Sequence, residues 1–188
     1  PYFQQWSLTL ERQLGRFSLV ELAYVGSKGT KILSARDINQ AGASPRRPNP
    51  RPVPQFADIT FMESRGSSSY NSLQVRFQHQ LPSGSGALLS YTYGKSLDET
   101  STFFSSAGDA NFPQNSANPG AERGRSNFDI RHRLSAGYSY ELPVGREKRF
   151  LGRHGSLTAL VTGWSTQGIV TLQSGRPFTV ALLPEIDN

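Results

Sequence analysis

Hydrophobic and polar residues alternate with a period of two along most of this chain, the spacing of strands with one apolar and one polar face. In the first segment Trp6, Leu8, Leu10 and Leu14 share a side, with Arg12 the exception, while Gln5, Ser7, Thr9, Glu11 and Gln13 fill the other. Gly15-Arg16 then predicts a tight reversal. A second strand puts Val20, Leu22 and Tyr24 opposite Glu21, fades near Gly26-Ser27-Lys28-Gly29 and continues at most to Leu33. A third, over 69–81, sets Leu73, Val75 and Phe77 against Gln74, Arg76 and Gln78. A fourth, over 87–97, sets Leu89, Tyr91 and Tyr93 against Ser90 and Thr92. In the fifth, Ile130, Leu134, Ala136, Tyr138, Tyr140 and Leu142 share a face broken by His132, opposite Arg131, Arg133, Ser135, Ser139 and Glu141. The sixth, over 157–174, sets Trp164, Val170 and Leu172 against Ser165, Gln167, Thr171 and Gln173.

The connections alternate in length. Short turns are predicted at Gly15 and at Pro82-Ser83-Gly84-Ser85-Gly86, and Pro143-Val144-Gly145 ends the fifth strand ahead of a basic connection of moderate length. Long irregular regions are predicted over 26–68, with a short strand at 59–62, and over 98–127. The first contains a proline-rich run at 42–56 that excludes helix and central strand. Long loops at one end and short turns at the other mark an up-and-down barrel in an outer membrane, short turns on the periplasmic side. Each predicted strand reaches the roughly 9 to 11 residues needed to cross the apolar layer, whereas soluble strands average about 5 to 6. Aromatic residues collect toward strand ends, as membrane interfaces favour. Tyr2, Phe3, Trp6, Tyr24, Tyr70, Tyr93 and Phe128 lie toward the long-loop end, and Phe77, Tyr138, Tyr140 and Trp164 toward the other. The same aromatics would serve as the core of a soluble β-sandwich, which stands as a rival.

Composition modifies this picture little. A mean hydropathy of −0.47 suits a soluble protein and equally a barrel, in which only alternate residues meet lipid. No apolar run is long enough for a membrane helix. Cysteine is absent, excluding a disulfide scaffold or thiolate metal site. The net charge of +6 does not form a nucleic-acid stripe. Its basic groups, Arg46-Arg47, 123–133 and 146–153, are dispersed as solvated loop charge or as contacts to anionic lipid headgroups. A barrel needs at least about eight strands, so six leave two open edges, and the chain is expected to pair there with strands outside it.

The remaining chemistry is sparse. His79, His132 and His154 fall on separate segments without ligand spacing. Asp98, Glu99 and Asp109 lack the ordered oxygen spacing of a calcium loop. No nucleophile elbow or phosphate-binding loop occurs. No metal, cofactor, nucleic-acid partner or catalytic activity is expected. Arg131 and Arg133, on a polar strand face, either attract anions into a lumen or pair with Glu141 and other acids in the wall; buried charges are usually paired, which favours the second.

An ordered series of motifs resembles a known family. It runs through Gln4-Gln5-Trp6-Ser7-Leu8, Glu21-Leu22-Ala23-Tyr24-Val25-Gly26-Ser27-Lys28-Gly29-Thr30 and Ser69-Tyr70-Asn71-Ser72-Leu73-Gln74-Val75. It continues through Ser90-Tyr91-Thr92-Tyr93-Gly94-Lys95-Ser96-Leu97-Asp98, Phe128-Asp129-Ile130-Arg131-His132-Arg133-Leu134, Tyr140-Glu141-Leu142-Pro143-Val144-Gly145 and Gly168-Ile169-Val170-Thr171-Leu172-Gln173-Ser174-Gly175-Arg176-Pro177-Phe178. Together these resemble the barrel of TonB-dependent outer-membrane receptors that carry an N-terminal carboxypeptidase-regulatory-like domain, of the acidobacterial type. The resemblance implies a barrel of about 22 strands enclosing a plug, with TonB engaging the plug, and a placement in the C-terminal half of the barrel. The plug and N-terminal domain have no counterpart in these residues.

The expectation is therefore an all-β, antiparallel up-and-down transmembrane barrel segment of about six long strands, incomplete by itself, in the bacterial outer membrane. Its partners are membrane lipid, the rest of the barrel, the plug and an imported substrate. Candidate lipid-facing residues are Trp6, Leu8, Leu10, Leu22, Tyr24, Leu73, Val75, Phe77, Leu89, Tyr91, Leu134, Tyr138, Tyr140, Trp164, Val170 and Leu172. Candidate lumen-facing residues are Glu11, Gln74, Arg76, Arg131, Arg133, Gln167 and Gln173. A passive porin or an adhesive barrel is the alternative within the same architecture.

Overall fold

The computed structural model describes residues 1–42, 51–102, 112–145, 148, 150, 160 and 162–178. Among these residues seven strands form one antiparallel sheet: β1 (Tyr2–Leu14), β2 (Ser18–Asp37), β3 (Thr60–Gln80), β4 (Gly86–Asp98), β5 (Gly124–Arg125), β6 (His132–Glu141) and β7 (Ser165–Gln173). Their order is β1-β2-β3-β4-β6-β7, with the two-residue β5 also pairing β4. The six long strands thus meet in chain order, an up-and-down meander. The outer strands β1 and β7 do not pair with each other, so the sheet is open.

The short turns form as the glycines predict. Gly15 and Gly84 take positive φ, at 68° and 85°, where glycine carries no steric cost. The second turn is closed by Leu81 N–H donating to the Ser85 carbonyl (2.8 Å) and Gly84 N–H donating to that of Leu81 (3.1 Å).

The β2–β3 hairpin is longer than its alternation indicates. Within the span 26–68, residues 26–37 and 60–68 are strand, and the short strand expected at 59–62 is the start of β3. Only 38–59 connect the two. The pattern fails because the register slips between Thr30 and Leu33, with Lys31 at φ 56°. A bulge moves side chains to the other face and breaks the period of two, and beyond it each face mixes polar residues with apolar ones such as Leu33, Ala35, Phe61 and Met62. The polar region 98–127 also contains β5 and a 3-10 turn at Pro119–Glu122. The sixth predicted strand is cut short: 162–163 are turn, β7 begins at Ser165, and 157–159 lie outside the described residues. The fifth begins at His132, leaving Ile130 and Arg131 before it.

The rival arrangement, a soluble sandwich, does not form among the described residues. Among the described residues there is one sheet, and no second layer covers its apolar face: Leu8, Leu10 and Leu172 are 63, 62 and 60 % exposed. The buried residues are instead largely polar and gather at the long-connection end, including Asp37, Asn39, Ser96, Asp98, Ser126 and Asp129.

Candidate functional site

The register sorts side chains into two continuous faces. Leu10, Leu22, Val75, Tyr91, Leu134 and Leu172 form one row, one residue from each long strand in direct cross-strand opposition. Leu8, Tyr24, Leu73 and Tyr93 lie in the row toward the long connections, and Val20, Phe77, Leu89, Ala136 and Val170 in the row toward the short turns. Trp6, Tyr138 and Tyr140 share this face. Trp164 sits one residue before β7 with matching parity. Phe3 and Tyr70, expected in an aromatic belt, fall on the opposite face, opposite Gly29 and Ser96; their parity differs from that of Trp6 and Tyr93.

The edge of the apolar band moves steadily across the sheet. Toward the long connections, the first polar residue on this face is Gln4 on β1, Lys28 on β2, Asn71 on β3, Lys95 on β4, His132 on β6 and Ser174 after β7. Counted from the central row, the edge lies three side chains away on β1 and β2, two on β3 and β4, and one on β6 and β7. The opposite edge slides the same way, from Leu14 on β1 to Leu81 after β3, Leu142 after β6 and Trp164 before β7. The drift is about one residue per strand, or about 3.3 Å along the strand for each ~4.8 Å across the sheet. A level band therefore requires strands tilted by roughly 30–35°, at the lower end of the tilt of closed barrels. About nine residues per strand lie in the band, ~30 Å of chain at ~3.3 Å per residue, and about 25 Å of height after tilting, the height of a barrel's outward apolar band.

Three polar pairs on the apolar face are tied across strands, while Arg12, opposite Val20, is the charged exception on that face. Ser18 Oγ lies 2.8 Å from His79 Nδ1, Tyr24 Oη donates to Asn71 Oδ1 at 2.7 Å, and Tyr91 Oη lies 2.8 Å from His132 Nδ1. Such pairing meets the demand of a medium without water, where each unsatisfied polar group costs several kcal/mol. These histidines therefore have partners in the wall; His154 lies outside the described residues, and no metal-binding cluster occurs among the described ones.

The other face is hydrophilic. Glu11, Glu21, Arg76, Ser90, Ser135 and Thr171 form one row, and Ala23, Gln74, Thr92, Arg133 and Gln173 the next. Gln167 shares the face opposite Ser139. Arg76 Nη1 approaches Glu21 Oε2 at 3.8 Å. Arg133 is exposed, with no ion pair among the described residues. Arg131 is not on a strand: its Nε lies 3.8 Å from Asp129 Oδ2, and its guanidinium carbon 6.0 Å from the Tyr93 ring centre. Neither arginine pairs with Glu141, which binds Lys148 at 3.2 Å.

Sequence reasoning missed the polar clusters that close the long-connection end. Asn39, 0 % exposed, donates through Nδ2 toward the carbonyls of Val53, Phe56 and Ala57 and accepts from Val53 N–H at 2.7 Å. Asp37 Oδ1 accepts from the N–H groups of Asn39 and Ile59. The two long connections are bound together: Gln40 Nε2 donates to the Gln114 carbonyl, Ser116 N–H donates to Gln40 Oε1, and Arg36 reaches the Ser116 carbonyl. Asp129 accepts from Ser96 N–H at 2.8 Å and from Arg125 Nε at 2.8 Å, taking up a strand donor where β6 pairing ends. Arg46-Arg47, Asp109 and most of 146–153 lie outside the described residues.

A single tilted sheet, apolar over a band of bilayer height on one face and hydrophilic on the other, is the wall of a transmembrane β-barrel. The family model described as "Outer membrane beta barrel domain" matches residues 1–185. The chain belongs to that family, and its place is the bacterial outer membrane, surrounded by lipid. No curated protein and no solved structure matches the chain.

Proposed function

We propose that this chain is a wall segment of a TonB-dependent transporter that imports a substrate across the outer membrane, acting in transport and not as an enzyme. The observation that carries the reading is the ordered motif series from Gln4-Gln5-Trp6-Ser7-Leu8 to Gly175-Arg176-Pro177-Phe178, which resembles the barrels of such receptors along nearly the whole chain. In this reading the Leu10 to Leu172 face meets lipid, and Glu11, Gln74, Arg76, Arg133, Gln167 and Gln173 face the lumen and its plug. Arg131, tied to Asp129, is a wall contact. The free edges of β1 and β7 continue into further strands, because open edges in lipid leave backbone groups unpaired. The long connections face outside the cell, where loops make first contact with substrate.

The test reconstitutes the full-length protein into liposomes and measures swelling in small sugars. A plugged transporter leaves the liposomes closed, and import in cells stops when TonB is deleted. Constitutive swelling, with uptake independent of TonB, would assign a passive porin instead.

A further inference from the structure

Above the apolar band on the same face, three cations bracket one short piece of β3. Lys28 on β2 stands directly opposite Ser69, and Lys95 on β4 directly opposite Asn71. Arg123, reaching over from the second long connection, donates through Nη1 to Ser67 Oγ (2.7 Å) and through Nη2 to Ser69 Oγ (3.0 Å). Lys28 and Lys95 are exposed and have no carboxylate within ion-pair distance among the described residues. Glu99, whose carboxylate accepts from Ser67 N–H and Oγ, pairs with Arg123 at 4.0 Å, which leaves the two lysine charges unmatched. The two lysine backbones are about 12 Å apart, two strand spacings of ~4.8 Å across and two residues of ~3.3 Å along the strands, so both long side chains can bring their ammonium groups to one multiply charged group held above β3. Immediately below lie Trp6, Tyr24 and Tyr93, with the Tyr24 hydroxyl bound to Asn71.

We propose that Lys28, Lys95 and Arg123 form a binding site for the phosphate groups of an outer-leaflet lipid whose acyl chains run down the wall past Tyr24, Leu73 and Tyr93 toward the central row. The inference rests on the outward placement of the long connections proposed above. Charge complementarity selects the occupant. The site is cationic, open on the lipid side, and carries hydroxyl and amide groups at Ser69 and Asn71 beside its charges. It stands one step beyond the aromatic edge, where headgroup phosphates lie. A free anionic substrate would meet the polar face instead, on the other side of the sheet.

The test uses the full-length protein in phosphatidylcholine nanodiscs containing a minority of lipid A, with the lipid A retained after release counted by native mass spectrometry. Neutralising Lys28, Lys95 and Arg123 together to Gln is expected to lower retention by about fivefold per charge removed, the equivalent of about 1 kcal/mol per basic residue near an anionic surface. Arg12→Gln with Arg16→Gln, at the opposite end of the wall, leaves retention unchanged. Equal retention by the triple variant and the parent, both with the heat-dependent gel mobility of a folded barrel, overturns the site and leaves the wall intact. Displacement of lipid A by millimolar inorganic phosphate overturns it in favour of a free-anion site. If the parent protein does not insert into the bilayer, the outward-wall reading fails and the site with it.

Discussion

The Trp6 indole fills the space that a side chain at Gly26, its directly opposed partner on β2, would occupy. The same arrangement recurs at the other side of the sheet, where a methyl group on Gly168 would come within 2.6 Å of the ring of Tyr138, its opposed partner on β6. In both pairs an aromatic ring covers a glycine that would otherwise expose backbone at a strand pair. Gly26→Ala is therefore expected to push the Trp6 ring off β2. Glycine in a strand costs roughly 0.5–1 kcal/mol relative to alanine, so the backbone gains about as much as the ring contact loses and stability changes little. The ring's environment changes more. With Trp164→Phe, and any tryptophan outside residues 1–188 likewise replaced so that only Trp6 reports, its fluorescence maximum should shift on Gly26→Ala. An unchanged spectrum would show that the ring does not rest on Gly26.

Val75 sits in the central row of the apolar face, paired on both sides by Leu22 and Tyr91, and Gln74 is its sequence neighbour on the polar face. An arginine at the middle of a lipid-facing band costs about 2–4 kcal/mol, whereas hydrophilic-face substitutions cost little. Val75→Arg is expected to destabilise the full-length barrel by that amount in a urea titration in lipid, and Gln74→Arg by under about 1 kcal/mol. Reversed sensitivities would exchange the two faces.

Asp129 has a side chain only 1 % exposed, yet it joins three groups: Ser96 N–H, Arg125 and Arg131. Removing it leaves a buried strand donor without its acceptor and the arginines without their counter-charge. Breaking such a pair costs about 3–5 kcal/mol when fully buried. Because the Arg125 side chain is 40 % exposed, Asp129→Ala is expected near the lower end of that range. Asp129→Asn, which keeps an acceptor for Ser96, should lose less. Equal losses in denaturant titrations of the two variants would mean that the charge, and not the acceptor, holds the junction.

How much of this was legible in the sequence follows from how local each feature is. The faces through Leu10, Leu22, Val75, Leu134 and Leu172 were readable because a strand's period of two is written in neighbouring residues. The short turns at Gly15 and Gly84 were readable for the same reason. The outer halves of β2 and β3 were not: the slip at Lys31 breaks the period, and polar residues on both faces leave no contrast. Asn39 and Asp129 were hidden more deeply. The Asn39 side chain binds residues 14 to 18 positions away, and Asp129 meets Ser96 across 33 positions; only the nearby partners, Asp37 for Asn39 and Arg125 and Arg131 for Asp129, stand beside them in the chain. For Lys28 and Lys95 a signal was present, since each has the parity of the tyrosine four or two residues before it, Tyr24 or Tyr93. Continuing that parity past the apolar stretch would have placed both on the apolar face.

On the polar face, Glu11 and Glu21 stand directly opposite each other, and Arg76 stands next in the row beyond Glu21. Like charges in direct cross-strand opposition destabilise a sheet, by up to about 1 kcal/mol. Arg76, with Nη1 3.8 Å from Glu21, offsets that repulsion. Its side chain is 47 % exposed, so solvent screens the pair and its worth stays under about 1 kcal/mol. Arg76→Gln is expected to lower stability by a few tenths of a kcal/mol to about 1 kcal/mol at low salt, and the loss should shrink as salt is raised, since the Debye length falls to about 3 Å at 1 M. Glu11→Gln in the Arg76→Gln background should restore most of it by removing the repulsion that Arg76 had masked. The same substitution in the parent should change little. A double-mutant cycle in urea on the lipid-reconstituted protein reads the coupling directly. If Glu11→Gln is equally stabilising with and without Arg76, the three charges do not act as one row and the register drawn here for β1 against β2 is wrong.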